Sequence, residues 1–135
     1  MSRLIRFERT GGPEVLQWVE SDLAPPAPGE AQVRHHAVGL NYIDVYHRSG
    51  LYPVPLPSGL GLEAAGVVEA LGDGVSGFAP GDRVAYVGGA LGAYSEVRNL
   101  SADPTAGAEH QCCPFREKCV VRHSFSFAYR GQSPA

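Results

Sequence analysis

The sequence predicts a mainly β domain, a small and partly open antiparallel barrel carrying one or two short helices. Two observations predict it. Apolar runs are short and are separated by Gly and Pro, of which the 135 residues hold 17 and 11, the punctuation of an antiparallel all-β chain. One denser stretch, Gly61 to Val84, then reads as strand, turn, loop and strand. Glu63 to Leu71 is rich in Ala and Val, Gly72-Asp73-Gly74 and Pro80-Gly81 are turn signals, and Asp82 to Val87 restarts an extended pattern, with Gly92 to Arg98 expected as its hairpin partner.

Before this stretch, Leu4 to Phe7 reads as a short edge strand. Gly11-Gly12-Pro13 turns it, and Val15 to Val19 returns to close a hairpin. Ala24 to Glu30 contains Pro25, Pro26 and Pro28 and reads as a stiff connection. Ala31 to Leu40 is a further strand anchored by Val33 and Val38. Asn41 is an N-cap residue for a short helix near Ile43 to Arg48, because its side-chain carbonyl can accept from free helix amides, and Gly50 can stop that helix. Pro53, Pro55 and Pro57 then make Leu51 to Pro57 a loop.

Composition divides the chain near Leu100. Residues 1–100 contain 25 of the Val, Ile and Leu residues, whereas residues 101–135 contain only Val120 and Val121, together with all three Cys and the single Lys, Lys118. The sequence therefore predicts one folded domain over 1–100 and an aberrant, poorly packed tail over 101–135, with too little apolar surface to offset chain entropy. Translation of an out-of-frame stretch would produce such a change. A net charge of −3 without a basic cluster points away from nucleic acid and anionic membranes. With no apolar run of about 18 residues and no signal-peptide core, the expected location is the cytoplasm.

Three constellations could carry chemistry. Gly72-Asp73-Gly74-Val75-Ser76-Gly77 fits the dinucleotide pattern G-x-G-x-x-G, but Phe78-Ala79-Pro80-Gly81 turns the chain before a helix can form, so these are turn glycines. The tail residues His110, Cys112, Cys113, Cys119 and His123 have metal-ligand side chains, yet adjacent cysteines followed by a five-residue gap do not give the usual zinc spacing. Asn41, Tyr42, Asp44, Tyr46, Arg48 and Tyr52 gather polar and aromatic groups on one helix and its exit. Asn41, Asp44 and Arg48 can share a face, and read from the residues alone Asp44 pairs with Arg48 at the surface. Glu63 is open to two readings, an ion pair with Arg83 or Arg98 or support beneath a cleft, while Glu96 is expected in solvent.

Residues 61–84 resemble the GHE-xx-G-x-V-xxx-G-xx-V-xxxxx-GD-x-V signature of the medium-chain dehydrogenase/reductase superfamily. Leu62 stands where the zinc enzymes carry a ligand His, and Asn41 where they carry a Cys. With Gly39 to Asp44 upstream and Gly92 to Val97 downstream, residues 1–100 are similar to the zinc-free quinone oxidoreductase branch. The resemblance implies a GroES-like domain without its usual Rossmann partner domain, and hydride transfer from NADPH to a small-molecule quinone. It further implies no metal, contact of Asn41, Tyr42, Ile43, Asp44, Tyr46 and Tyr52 with the cofactor, and catalytic roles for Asn41, Asp44 and Tyr46. Full-length relatives of this kind are usually homodimers. Two other readings stand beside it: a non-enzymatic binding module of the same fold, and a defective gene product.

Overall fold

The computed structural model describes residues 1–102 and the backbone at 113–114. Strands β1 (Ser2–Phe7), β2 (Gln17–Ser21), β3 (Glu30–Val38), β4 (Ser58–Gly59), β5 (Glu63–Leu71), β6 (Arg83–Val87), β7 (Val97–Ser101) and β8 (Cys113–Pro114) form two antiparallel sheets, in the orders β2-β1-β4 and β7-β3-β5-β6-β8. One α-helix, α1 (Tyr42–Ser49), lies between β3 and β4, and a single 3-10 turn covers Pro13–Val15. The predicted mainly β, partly open antiparallel architecture is thus the observed one.

Alternation along the central strands builds the core. Ala31 and Val33 of β3, Ala64 and Val68 of β5, and Val84 and Tyr86 of β6 are buried, with Ala93 and Leu100 closing the cluster. Phe7, Val15 and Leu60 form a second cluster under the smaller sheet. The β3–β5 pairing is the most extensive, and it slips between His35 and Ala37, so that His36 has no partner on β5. Gly66 sits at that slip. A Cβ there would lie 2.0 Å from the Arg34 carbonyl oxygen, so only glycine lets the two backbones approach.

The structure corrects several local expectations. β1 is the central strand of its sheet and not an edge, because the proline-rich loop returns Ser58–Gly59 to pair with Arg6 and Phe7. Val33 is fully buried but Val38 is about half exposed, so only the former anchors β3. Gly92 to Arg98 does not form a hairpin with β6. Its first residues cross to Leu60 and Gly61, with the Tyr94 amide donating to the Leu60 carbonyl at 2.9 Å, and β7 then pairs with β3. The turn glycines behave as expected: Gly74 and Gly77 have φ of 78° and 85° and no helix follows them. Beyond Ala102, β8 adds to β6 through Val84↔Pro114 and Ala85↔Cys113. The expectation of a poorly packed tail, and that of no zinc at His110, Cys112, Cys119 and His123, otherwise lie outside the described residues.

Candidate functional site

An eight-residue helix has no independent stability in water, so α1 exists because its two ends are tied down. At its start the Asp44 carboxylate accepts from the Asn41 amide at 2.9 Å, the Asp44 amide bonds the Asn41 carbonyl at 3.0 Å, and the carboxylate carries favourable charge into the first turn. At its end Gly50 adopts φ 86°, as expected of the stop. The Arg48 guanidinium donates to the Gly11 carbonyl at 2.6 Å, and the Gly11 amide returns a bond to the Arg48 carbonyl at 3.0 Å. Arg48 therefore holds the β1–β2 turn, and the surface pair with Asp44 does not form.

Asp44 is only 1% exposed, and its second hydrogen bond comes from the Tyr94 hydroxyl at 2.9 Å. The other carboxylate oxygen is buried with no partner among the described residues. Burial, then the hydrogen bond and charge of Asp44, then the charge of Glu63, push the Tyr94 hydroxyl well above the ordinary tyrosine range. Two carboxylates thus act on one partly buried phenol.

A cavity of about 320 Å³ is walled by Asn41, Tyr42 and Ile43 at the start of α1, by Leu62 and Glu63 at the start of β5, and by Val87 and Gly88 at the end of β6. Its size falls at the small end of the range for small-molecule sites, roughly 300–1,000 Å³. The antiparallel pairing Glu63↔Val87 is what brings the β5 and β6 termini together. Asn41 and Leu62, far apart in sequence, share this wall. Among the described residues no three His, Cys, Asp or Glu side chains are grouped to hold a metal ion.

The six predicted contact residues divide. Asn41, Tyr42 and Ile43 line the cavity, whereas Asp44, next in sequence, is buried and does not. Tyr46 and Tyr52 do not line it; they stack edge to face with ring centroids 5.3 Å apart, and Tyr42 continues the row at 6.4 Å from Tyr46. The Tyr52 amide bonds the Tyr46 carbonyl at 3.1 Å, which folds the exit loop back onto the helix. Glu63 pairs with neither expected cation. The strand register sets Arg83 opposite Val67, and Arg98 donates to the Ala90 carbonyl and the Tyr86 hydroxyl. Glu96 is not simply solvated, since it forms an ion pair with Arg3. Tyr94 was not among the predicted contacts; its signal was its place inside the Gly92 to Val97 motif.

A second cavity, of about 340 Å³, opens between the sheets beside Trp18, His36, Val38 and Tyr94. His35 stands at its edge. The ring Nδ1 lies 2.7 Å from the Ser95 carbonyl, which can only accept, so Nδ1 carries the proton and Nε2 accepts from the Tyr86 hydroxyl at 3.1 Å.

Two open antiparallel sheets, with one short helix between β3 and β4, define an alcohol dehydrogenase GroES-like domain. That family matches residues 27–126, and the chain belongs to it. Within the medium-chain dehydrogenase/reductase superfamily its branch is that of the quinone oxidoreductases. The chain is 57% identical over 107 residues to quinone oxidoreductase 1 of Escherichia coli, covering 78% of this chain and 33% of that protein. It is 56% identical over 104 residues to quinone oxidoreductase of Pseudomonas aeruginosa, covering 76% and 32%. The crystal structure of Escherichia coli quinone oxidoreductase complexed with NADPH superposes with a TM-score of 0.74 at 52% identity, over 84% of this chain and 33% of that one. The chain thus spans about a third of the length of these relatives. Among the described residues no helix is long and apolar enough to cross a membrane.

Proposed function

We propose that residues 1–100 form the acceptor-side domain of a zinc-independent, NADPH-dependent quinone oxidoreductase, and that the 135-residue chain turns over little quinone by itself. The single observation behind this reading is the cavity in which Asn41 and Leu62 meet, replacing a Cys and a His ligand of the zinc enzymes with side chains that cannot rebuild a four-coordinate site. A quinone ring is already electron-poor and needs no Lewis acid.

The cofactor fits in part. The cavity suits the place where a quinone acceptor would meet the nicotinamide ring, with Asn41, Tyr42 and Ile43 on one wall and Leu62 and Glu63 on the other. The pyrophosphate has no holder among the described residues: the N-terminus of α1 is already taken by the carboxylate of Asp44, and Gly72, Gly74 and Gly77 open no helix. A bound reduced nicotinamide would supply the hydride. The chain's own part is to orient and to exclude water. Asn41 presents its amide at the cavity wall, Asp44 fixes the start of the helix that carries it, and Tyr46 with Tyr52 props Tyr42 from the side. The remaining proposals follow the family resemblance: a cytoplasmic protein, a quinone as the small-molecule partner, and a domain boundary near residue 100.

Calorimetry of the 135-residue chain tests the reading. NADPH should bind no tighter than about millimolar, near 4 kcal/mol of binding free energy. Joining residues 1–100 to the dinucleotide-binding part of a related reductase should restore quinone reduction, and Asn41→Ala or Tyr46→Ala should then lower it. Micromolar NADPH binding by the unmodified chain, or an active chimera insensitive to both substitutions, would overturn it.

A further inference from the structure

The charge on the cavity wall has a direction that the quinone reading does not use. Among the described residues Glu63 is the one carboxylate that lines the cavity, and no Lys, Arg or His lines it. Its carboxylate lies against Gly39, where even a Cβ would collide with it at 1.7 Å, so the absence of a side chain at 39 makes room for this acid. The ion pairs formed among the described residues join Arg3 to Glu96 and Arg34 to Glu69, which leaves Glu63 without a countercharge there. Asp44, wholly buried, follows directly in sequence on the Asn41, Tyr42 and Ile43 wall. Its Oδ2 is bonded to the Asn41 amide and the Tyr94 hydroxyl, and its Oδ1 has no partner.

We propose that Glu63 makes this cavity select uncharged acceptors and reject acceptors that carry a carboxylate. The inference rests on the reading of the cavity as the acceptor site and adds the discriminating residue. A like charge a few ångströms from Glu63, at a partly wet site, weakens binding by about tenfold, and the discrimination comes from repulsion and not from an added contact. Asn41, Tyr42 and Ile43 offer contacts that a neutral ring can use at no such cost.

The test uses the whole 135-residue chain and two ligands of equal shape. These are 2,3-dimethyl-1,4-naphthoquinone bearing either a 6-carboxamide or a 6-carboxylate, the ring being fully substituted so that the three Cys thiols do not add to it. Amide chemical shifts are followed by NMR titration. The carboxamide should perturb Asn41 to Ile43, Leu62, Glu63, Val87 and Gly88, and the carboxylate should bind there about tenfold more weakly, a ratio that shrinks as salt is raised. Glu63→Gln should bring the ratio toward one. Equal affinities of the two ligands for the wild-type chain would overturn the inference while leaving the acceptor site in place. Perturbation of the cavity by neither ligand would overturn the acceptor-site reading and the inference with it. Should Glu63→Gln fail to fold, the salt series on the wild type decides: a ratio unchanged by salt rules out charge as its cause.

Discussion

The Tyr94 hydroxyl donates to the Asp44 carboxylate at 2.9 Å across 50 residues of sequence, and this one bond ties the loop before β7 to the first turn of α1. Because Asp44 is buried and its other oxygen is unpartnered, loss of the Tyr94 donor leaves the carboxylate with the Asn41 amide alone. Tyr94→Phe is expected to lower stability by about 1.5–3 kcal/mol in urea unfolding, the range for a buried hydrogen bond to a charged group. Asp44→Ala should cost more, since it also removes the helix cap. The double variant should cost less than the two single losses together.

The same contact sets a high-pH limit. Tyr94 has its titration raised by burial first and by Asp44 next, so the folded state holds this proton more tightly than the unfolded chain. Its contribution to stability is complete below about pH 10 and is lost as pH rises beyond that toward the folded value. Absorbance titration of the tyrosines should show one late-ionising group that disappears in Tyr94→Phe.

His35 works in the opposite direction. Burial, with a smaller contribution from the charge of Arg98, holds its titration below the ordinary histidine range despite the Ser95 carbonyl. A depressed value means that the folded state favours the neutral ring, so this contribution is present above about pH 6.5 and is lost as pH falls below it. In NMR titration the His35 ring should protonate below the ordinary histidine range. Replacing His35 with Gln should flatten the acid side of the stability profile.

At the strand slip, Gly66→Ala places a methyl group 2.0 Å from the Arg34 carbonyl oxygen, a backbone atom that cannot rotate away. The variant is expected to lose about 3 kcal/mol or more, the upper range for overpacking, measured as a lowered urea midpoint with an unchanged slope. Gly74→Ala, in a turn with open space around it, should cost only the strain of its positive φ, about 1–2 kcal/mol.

Glu96 lies at the surface, where the hydrogen bonds from the Arg3 side chain and amide depress its titration. Its small contribution is present at neutral pH and is lost as pH falls through the folded value. Arg3→Ala should raise the Glu96 carboxyl titration part of the way toward that of an ordinary glutamate, the amide of residue 3 retaining the rest of the depression, and added salt should act in the same direction.

Much of this molecule was legible in its residues taken in order. Alternating Val and Ala in β5, Pro and Gly at the turns, Asn41 before a short helix and Gly50 after it are local signals, because propensity, capping and alternation act within a few residues. They were enough to foresee the strand content, the helix and its ends, and the motif that identifies the family. What the tertiary structure decided was partnership. The sequence alone could not show that β7 pairs with β3 and not with β6, that Ser58–Gly59 makes β1 a central strand, or that Arg48 reaches Gly11 and leaves Asp44 to Tyr94. Each of these pairings joins residues distant in sequence, fixed only when the strands pack over their separate clusters around Phe7 and around Val33 and Val68. Long-range hydrogen bonds leave no periodicity in the chain. Asp44 therefore reads as a surface charge in sequence and becomes, in the folded domain, a buried carboxylate held by the Asn41 amide and the Tyr94 hydroxyl.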